Sequence, residues 1–232
     1  NKDITFSPRF YADEKVLLQS EYRQKNFQSN HVADLSFYAE KDENPENHFF
    51  YEFDKSLSVK GFDDSDVNIK LQATSNDTYL KSSRLESDLI NDNNIIENSF
   101  NLNLYSNNFS VNLETISYED LNKKDNDRYE YIFPRLALTK NFDNLGDLNG
   151  NFSIESDNLI RQYNTNVLEK RNVNNFIFNS NPKINKFGFL NSYDVLLRNT
   201  NSENKNTNFK NKKNFYLSGI YQFNSSYPLI KE

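Results

Sequence analysis

The sequence predicts an all-β protein in which short strands follow one another as an antiparallel meander. Within short segments every second residue is apolar, which is the period of a strand with one dry and one wet face. No stretch longer than two turns has the 3.6-residue period of a helix. Aromatic residues make up 15% of the chain, and disordered chains are poor in aromatic residues. Together these observations favour a folded sheet over a helical or a disordered chain.

The alternation predicts roughly eleven to twelve strands. In the first strand, Ile4 and Phe6 share one face, and Thr5 and Ser7 share the other. A later strand is predicted to place four residues on its apolar face, namely Ile132, Pro134, Leu136 and Leu138. The predicted strands are Asp3–Tyr11, Lys15–Lys25, His31–Ala39, Phe49–Phe53, Asp66–Ser75, Phe100–Leu104, Phe109–Glu114, Ile132–Thr139, Leu148–Ile154, Val173–Asn179, Phe187–Leu197 and Phe215–Phe223.

Polar segments connect these strands. Four of the connections are predicted to be long: Asn76–Asn94, Glu119–Arg128, Asp157–Asn172 and Asn199–Lys213. Leu80–Ile90 has the best helical pattern in the chain, and we predict that it is a loop. Strands joined in this order form an antiparallel meander, and a long meander must close or leave exposed edges that attract other chains.

The composition is compatible with a membrane barrel. Mean hydropathy is −0.87, and no run of apolar residues is long enough for a helix that spans a bilayer. A barrel strand needs only about 9–11 residues with every second one apolar. We therefore predict that residues 1–232 are one partial domain, part of a large transmembrane outer-membrane β-barrel. The chain contains no Met, so we expect it to be a piece of a longer protein. The alternatives are another porin or channel barrel, and a soluble β-sandwich or adhesin module that binds its ligand outside the membrane.

Several function classes have little support in the residues. The net charge is −6 with both signs interspersed, so no basic stripe suggests nucleic acid. The chain has no Cys, which excludes thiolate metal sites and thiol nucleophiles within it. His31 and His48 have no neighbours at metal-ligand spacing, and both are predicted at solvated turns or strand ends. We predict no catalytic residues, no metal site and no cofactor.

Short motifs add a family resemblance. The chain opens with NKDITFSPRF at Asn1–Phe10, followed by EYR at Glu21–Arg23. SNDTYL follows at Ser75–Leu80, IFPRL at Ile132–Leu136, and YPLIKE at Tyr227–Glu232. In order and spacing these segments resemble the barrel of the lipopolysaccharide-assembly outer-membrane protein family, LptD (also called OstA or Imp). The resemblance covers most of the chain, and its first motif is the most specific.

The resemblance implies a function in the outer membrane. Members of this family insert lipopolysaccharide into the outer leaflet through a lateral gate between barrel strands. The implied partners are lipopolysaccharide, membrane lipid, a plug lipoprotein in the lumen (LptE-like) and periplasmic bridge proteins that dock on an upstream jellyroll domain. We expect this chain to lack that domain, the first barrel strand and the closing strands.

Two sets of residues are candidates for this function. Pro8 matches the family proline near the lateral gate, and proline cannot donate a hydrogen bond to a neighbouring strand. A proline at a strand end or bulge is the equally weighted alternative. By parity, six polar side chains are predicted to face the lumen: Arg9, Gln19, Glu21, Arg23, Lys70 and Gln72.

Overall fold

The computed structural model describes residues 1–11, 16–39, 46–143, 149–164, 166–207 and 212–227. These residues form one antiparallel sheet of 13 strands. The strands are β1 (Lys2–Phe10), β2 (Val16–Lys25), β3 (Ser29–Ala39), β4 (Glu46–Ser56), β5 (Asp64–Thr74), β6 (Ile95–Ser106), β7 (Phe109–Asp120), β8 (Tyr129–Asp143), β9 (Gly150–Tyr163), β10 (Val167–Ser180), β11 (Lys183–Ile184), β12 (Leu190–Lys205) and β13 (Lys212–Ser226).

The strands pair in chain order, so the sheet is a meander. Each long strand is antiparallel to the next one, and β10 pairs with β12. The two-residue strand β11 pairs with the first residues of β12. Twelve strands are therefore long. Within the described residues β1 pairs only with β2, and β13 pairs only with β12. The prediction of an all-β meander is confirmed, and the sheet is open.

The strand register gives the sheet two chemically different faces, because directly paired residues lie on the same face. We call one the apolar face; its members include Ile4, Leu18, Leu35, Phe49, Leu71, Leu102, Leu113, Leu136, Phe176 and Leu197. The other is the polar face; its members include Arg9, Gln19, Asp34, His48, Gln72, Glu114, Arg135, Asp157 and Arg171. Many apolar-face side chains are exposed, and Phe6 retains 65% of its surface.

One strand changes face within its length, which corrects a prediction. Between Ile132 and Arg135, β8 has one residue more than both β7 and β9, as in a β-bulge. The extra residue shifts the alternation, so Ile132 lies on the polar face while Leu136 lies on the apolar face. The prediction that these two residues share a face is therefore wrong. The peptide bond between Phe133 and Pro134, at the bulge, is cis.

Two predicted connections are wrong because they belong to strands. Most of Asp157–Asn172 lies in β9 and β10, and most of Asn199–Lys213 lies in β12 and β13. These stretches carry Asn and charged residues on both faces, so the apolar period is missing from the sequence. The prediction for Glu119–Arg128 holds after Asp120, where β7 ends and a 3₁₀ turn forms at Asp125–Arg128.

The connection between β5 and β6 packs on the sheet. We call residues 75–94 the covering segment. It contains one short helix, α1 (Tyr79–Ser83), which ends at Arg84 with φ of 45°. The rest is irregular, so the loop prediction for Leu80–Ile90 is wrong only where it overlaps α1. Its buried apolar side chains join a core on the sheet, formed by Leu17, Phe50, Tyr79, Leu80, Leu85, Leu89, Ile96 and Leu121.

Parts of several predictions lie outside the described residues. These parts are Lys15 and Leu148, each at the start of a predicted strand, residues 165 and 208–211 in two predicted connections, and residues 228–232, which hold most of the YPLIKE motif. None of the helices among the described residues has the length and apolar character needed to cross a membrane.

Candidate functional site

The six polar residues predicted to face a lumen lie on one face of the sheet, the polar face, on β1, β2 and β5. Four of them contact the covering segment. Arg9 Nη1 donates to the carbonyl of Arg84 at 3.0 Å, and Gln19 Nε2 donates to that of Glu86 at 3.1 Å.

The other two contacts lie further along the covering segment. Gln72 Nε2 donates to the Leu89 carbonyl at 3.0 Å, and Arg23 Nη2 lies 3.4 Å from Asp88 Oδ2. Side chains of the sheet thus satisfy backbone carbonyls of a segment with almost no regular structure. Buried carbonyls need such partners, so these contacts define how the segment lies.

Glu21 and Lys70 form ion pairs with other side chains of the sheet. The Glu21 carboxylate pairs with the guanidinium of Arg23. Lys70 Nζ lies between two carboxylates, 3.4 Å from Glu97 and 3.8 Å from Glu52. The two pairs of Lys70 cross strands, and cross-strand charge pairs stabilise a sheet modestly, whereas Glu21 and Arg23 are neighbours along β2.

Beneath the covering segment lies a buried polar network. Gln19 Nε2 donates to both carboxylate oxygens of Asp34, at 3.2 and 3.0 Å. Asp34 Oδ1 lies 3.4 Å from His48 Nε2, and His48 Nδ1 lies 2.5 Å from Ser36 Oγ. The Ser36 hydroxyl also bonds the phenol of Tyr79 in α1. All five side chains are at most 5% exposed.

The order Asp34, His48, Ser36 resembles a nucleophile with its base and orienting carboxylate. Its surroundings favour a structural role, because the Ser36 hydroxyl is hydrogen-bonded to the phenol of Tyr79 and all three side chains are buried. A hydrolase would need the substrate carbonyl to reach that hydroxyl. The network therefore joins the covering segment to the sheet.

Sequence reasoning missed this network. His48 was predicted at a solvated turn or strand end, and it is instead 2% exposed within β4. His31 is the third residue of β3 and so lies near a strand end, where it is half-buried with Nδ1 2.9 Å from the Tyr51 hydroxyl. The available signal was the parity that puts Asp34 and Ser36 on the polar face. What was missing was the register that brings His48 beside Ser36.

A charged clamp holds the start of the covering segment. Arg128 donates from Nη1 and Nη2 to the two carboxylate oxygens of Asp77, at 2.9 and 2.6 Å. Its Nε donates to Glu119 Oε1 at 2.7 Å. Hydrogen bonds from Arg128 hold the pKa of Asp77 below its usual range, and the two carboxylates raise the pKa of Arg128. The clamp ties the segment to the connection between β7 and β8.

Pro8 lies inside β1, opposite Leu18 of β2. Asn1 and Lys25 exchange both backbone hydrogen bonds, at 3.0 and 2.9 Å. Because bonded and non-bonded pairs alternate along an antiparallel ladder, the odd-numbered residues of β1 bond β2. The even-numbered ones, Pro8 among them, direct their backbone toward the open edge. The missing N–H of Pro8 is thus a gap in that edge.

In the described part of the chain, no group of three or more His, Asp or Glu side chains is placed to hold a metal ion. No protein-family model matches the sequence, and no curated protein matches it.

Asp34→Leu should loosen the covering segment. The substitution removes the acceptor for Gln19 and the partner of His48, and an unsatisfied buried group costs about 1–3 kcal/mol. We expect trypsin to cleave after Lys81 or Arg84 about fivefold faster or more. Far-UV circular dichroism should still report the sheet.

Glu86→Leu is the matched control, because Glu86 is an exposed carboxylate of the covering segment whose contact with Gln19 is made by its backbone carbonyl. Its cleavage rate should stay close to that of the unchanged protein. Equal acceleration in both variants would show that the buried network does not hold the segment.

Acid should release the clamp on Asp77. A carboxylate whose pKa is lowered in the folded state contributes stability above its unfolded pKa of about 3.9. That contribution is lost as the pH falls through the lowered folded pKa. Hydrogen exchange of residues 75–94, corrected for intrinsic rates, should therefore accelerate in acid below about pH 4. In Asp77→Asn this acid step should be absent, whereas Asp92→Asn should retain it. An acid step of the same size in Asp77→Asn would contradict the assignment.

Proposed function

We propose that this chain forms part of an outer-membrane β-barrel that inserts lipopolysaccharide into the outer leaflet through a lateral gate. The observation that carries the proposal is the pair of faces, since twelve long strands keep one apolar and one polar face in register. A barrel in lipid needs this arrangement, with apolar side chains toward the membrane and polar ones toward the lumen. The motifs that resemble the LptD family supply the choice of lipopolysaccharide over other cargo.

A row of aromatic side chains on the apolar face supports the membrane assignment. It lies close to the ends of five successive long strands, where aromatic girdles occur in membrane barrels. Ring centroids on neighbouring strands are 5.7 Å apart in two pairs, Phe142 with Phe152 and Phe178 with Tyr193. Lys140 Nζ lies 5.7 Å from the ring of Phe109 and 5.8 Å from that of Phe142. The row consists of Phe109, Lys140, Phe142, Phe152, Phe178 and Tyr193.

The row also moves along the strands as it crosses them. Phe109 pairs with Lys140, so the step to Phe142 shifts the row by two residues. Tyr193 lies two residues beyond the partner of Phe178, which adds a second shift in the same direction. Tilted barrel strands require a stagger of this kind for an aromatic belt to stay level with a membrane surface.

The exposed apolar face disfavours the soluble alternative. A β-sandwich buries its apolar face against a second sheet. The described residues form one sheet, and on its apolar face Ile4 and Leu217 are 56% and 70% exposed. In a membrane barrel this face is covered by lipid.

The polar face would line the lumen. Away from the covering segment it carries ion pairs between β8 and β9, such as Arg161 with Glu130 at 2.7 Å and Arg135 with Asp157 at 3.4 Å. We propose that Arg9, Gln19, Arg23 and Gln72 hold the covering segment inside the barrel near the first strands. A plug lipoprotein would then contact the wall that this segment leaves uncovered, and the periplasmic bridge proteins would dock on the upstream domain.

Pro8 is our candidate for the lateral gate. A strand that pairs with the open edge of β1 finds no N–H at Pro8, so the seam loses a hydrogen bond where a lipid chain has to pass. The alternative of a proline at a plain strand end is less favoured, since Pro8 lies between paired residues on both sides.

Depletion of the full-length protein tests the function. We expect the protein to fractionate with outer membranes, and we expect surface lipopolysaccharide to fall as the protein is depleted, measured by surface labelling. If lipopolysaccharide at the surface is unchanged, the transport function is wrong. If the protein stays soluble without detergent, the barrel is wrong as well.

Pro8→Val tests the gate in the full-length protein. Valine restores the backbone donor at the open edge, and one net hydrogen bond is worth about 1 kcal/mol. Delivery of lipopolysaccharide to the surface should slow by about fivefold if opening of this seam limits the rate. Ile4→Val changes a side chain on the same edge without adding a donor, and it should leave the rate unaltered. Equal rates for Pro8→Val and the unchanged protein would remove Pro8 from the gate.

A further inference from the structure

The apolar face contains one polar island. It occupies two adjacent rows across β9, β10 and β12, where six half-buried amide and hydroxyl side chains lie side by side. We call it the amide patch; it consists of Ser156, Asn158, Asn172, Asn174, Asn199 and Asn201. Apolar pairs adjoin it on the next row, where Ile154 pairs with Phe176 and Phe176 with Leu197.

The patch is hydrogen-bonded from strand to strand. Asn172 Nδ2 donates to Asn158 Oδ1 at 2.5 Å, and Asn201 Nδ2 donates to Asn172 Oδ1 at 3.1 Å. Asn174 donates to the same Asn172 oxygen at 2.6 Å and accepts from Ser156 Oγ at 2.8 Å. Because the amides satisfy one another, the patch can lie on an apolar face without the full cost of unpaired polar groups.

A cavity of about 710 Å³ opens over the patch. Asn158, Asn172 and Asn201 contribute amides to its lining, and Leu136 and Phe215 contribute apolar walls. Lys170, Glu203 and Lys213 contribute charged groups. Cavities of this size that combine apolar walls with a few convergent polar groups are typical of small-molecule sites. Polar residues on a lipid-facing surface are also uncommon without a function.

We propose that the amide patch and its cavity bind the uncharged sugar headgroup of a glycolipid, whose acyl chains lie along Ile154, Phe176 and Leu197. The inference rests on the proposed function in one respect, namely that the apolar face meets the membrane. Amide groups donate and accept hydrogen bonds at one side chain, which matches the hydroxyl groups of a sugar. The adjoining apolar row continues the site in the direction that the acyl chains need.

The position of the charges favours a sugar over a phosphate group. The charged side chains lie one row away from the cavity's amides, where Lys170 and Lys213 stand on either side of Glu203. Lys170 Nζ lies 3.9 Å from the Glu203 carboxylate, which offsets part of the positive charge. Lys205 Nζ lies 3.8 Å from the other oxygen of the Glu203 carboxylate. Phosphate sites usually offer bidentate or clustered cations, whereas the row of Asn158, Asn172 and Asn201 offers amides.

A tryptophan reporter makes the site observable, because residues 1–232 contain no Trp, and any Trp elsewhere in the full-length protein is first replaced by Phe. Leu217→Trp places one on β13 opposite Asn199. The full-length protein with this reporter is reconstituted into phosphatidylcholine vesicles that contain increasing fractions of monoglucosyl diacylglycerol. We expect a saturable change in tryptophan fluorescence. Asn172→Ala with Asn201→Ala should weaken the apparent affinity by about fivefold or more, since two polar contacts are lost.

Asn151→Ala is the matched control, because Asn151 is exposed on the polar face of β9. It should leave the titration unaltered. Phosphatidylglycerol replaces the glycolipid in a parallel series, and an equal or stronger response to it would overturn the preference for a sugar. A response that does not saturate, or that survives the double substitution, would overturn the site.

Flotation of the same vesicles separates this inference from the proposed function. Protein that floats with the vesicles but gives no saturable response overturns the glycolipid site alone. Protein that does not float overturns both, because the apolar face then does not meet a membrane.

Discussion

The strand register is the constraint on which the rest of the structure depends. Side chains alternate with a period of two, so a slip of one residue in any pair would exchange the faces of every later strand. The bulge in β8 is such a slip. Both β7 and β9 keep their own alternation opposite it, so the slip stays within β8. Beyond the bulge Leu136 again joins the apolar face, and the two faces continue to β13.

Polar side chains on the polar face need hydrogen-bond partners wherever they are buried. The covering segment buries some of them and also supplies partners for them. Part of this face over β2 to β5 is covered by residues 75–94. Buried polar groups are tolerated when each has a partner, and Gln19, Asp34 and Gln72 each find one in the sheet or in the segment. Further along the sheet the polar side chains are half-buried and pair with one another, as Arg161 does with Glu130.

The sequence was most informative where apolar residues alternate. The first strand, with Ile4 and Phe6 opposite Thr5 and Ser7, was predicted correctly, as was the shared face of Gln19 and Gln72. The prediction failed where both faces are polar. The strand segments around Asn158 and Asn201 have no apolar period, and they extend because backbone pairing and amide contacts replace it.

Tertiary pairing explains the remaining errors. Nothing local to His48 indicates that Ser36, Asp34 and Tyr79 will enclose it, because these residues meet through the register of β3 with β4 and through a segment that returns to the sheet. Similarly, the residues around Pro134 alternate on paper, and only the neighbouring strands reveal that one of them is extra.

The number of long strands has a geometric consequence. Successive strands reverse direction, so in a set of twelve the first and the last run opposite ways. The two free borders are therefore already oriented for antiparallel contact with each other. Any further strands inserted between them must come in pairs if every neighbour is to remain antiparallel. A closed antiparallel barrel that contains this sheet would therefore have an even number of strands, whatever its circumference.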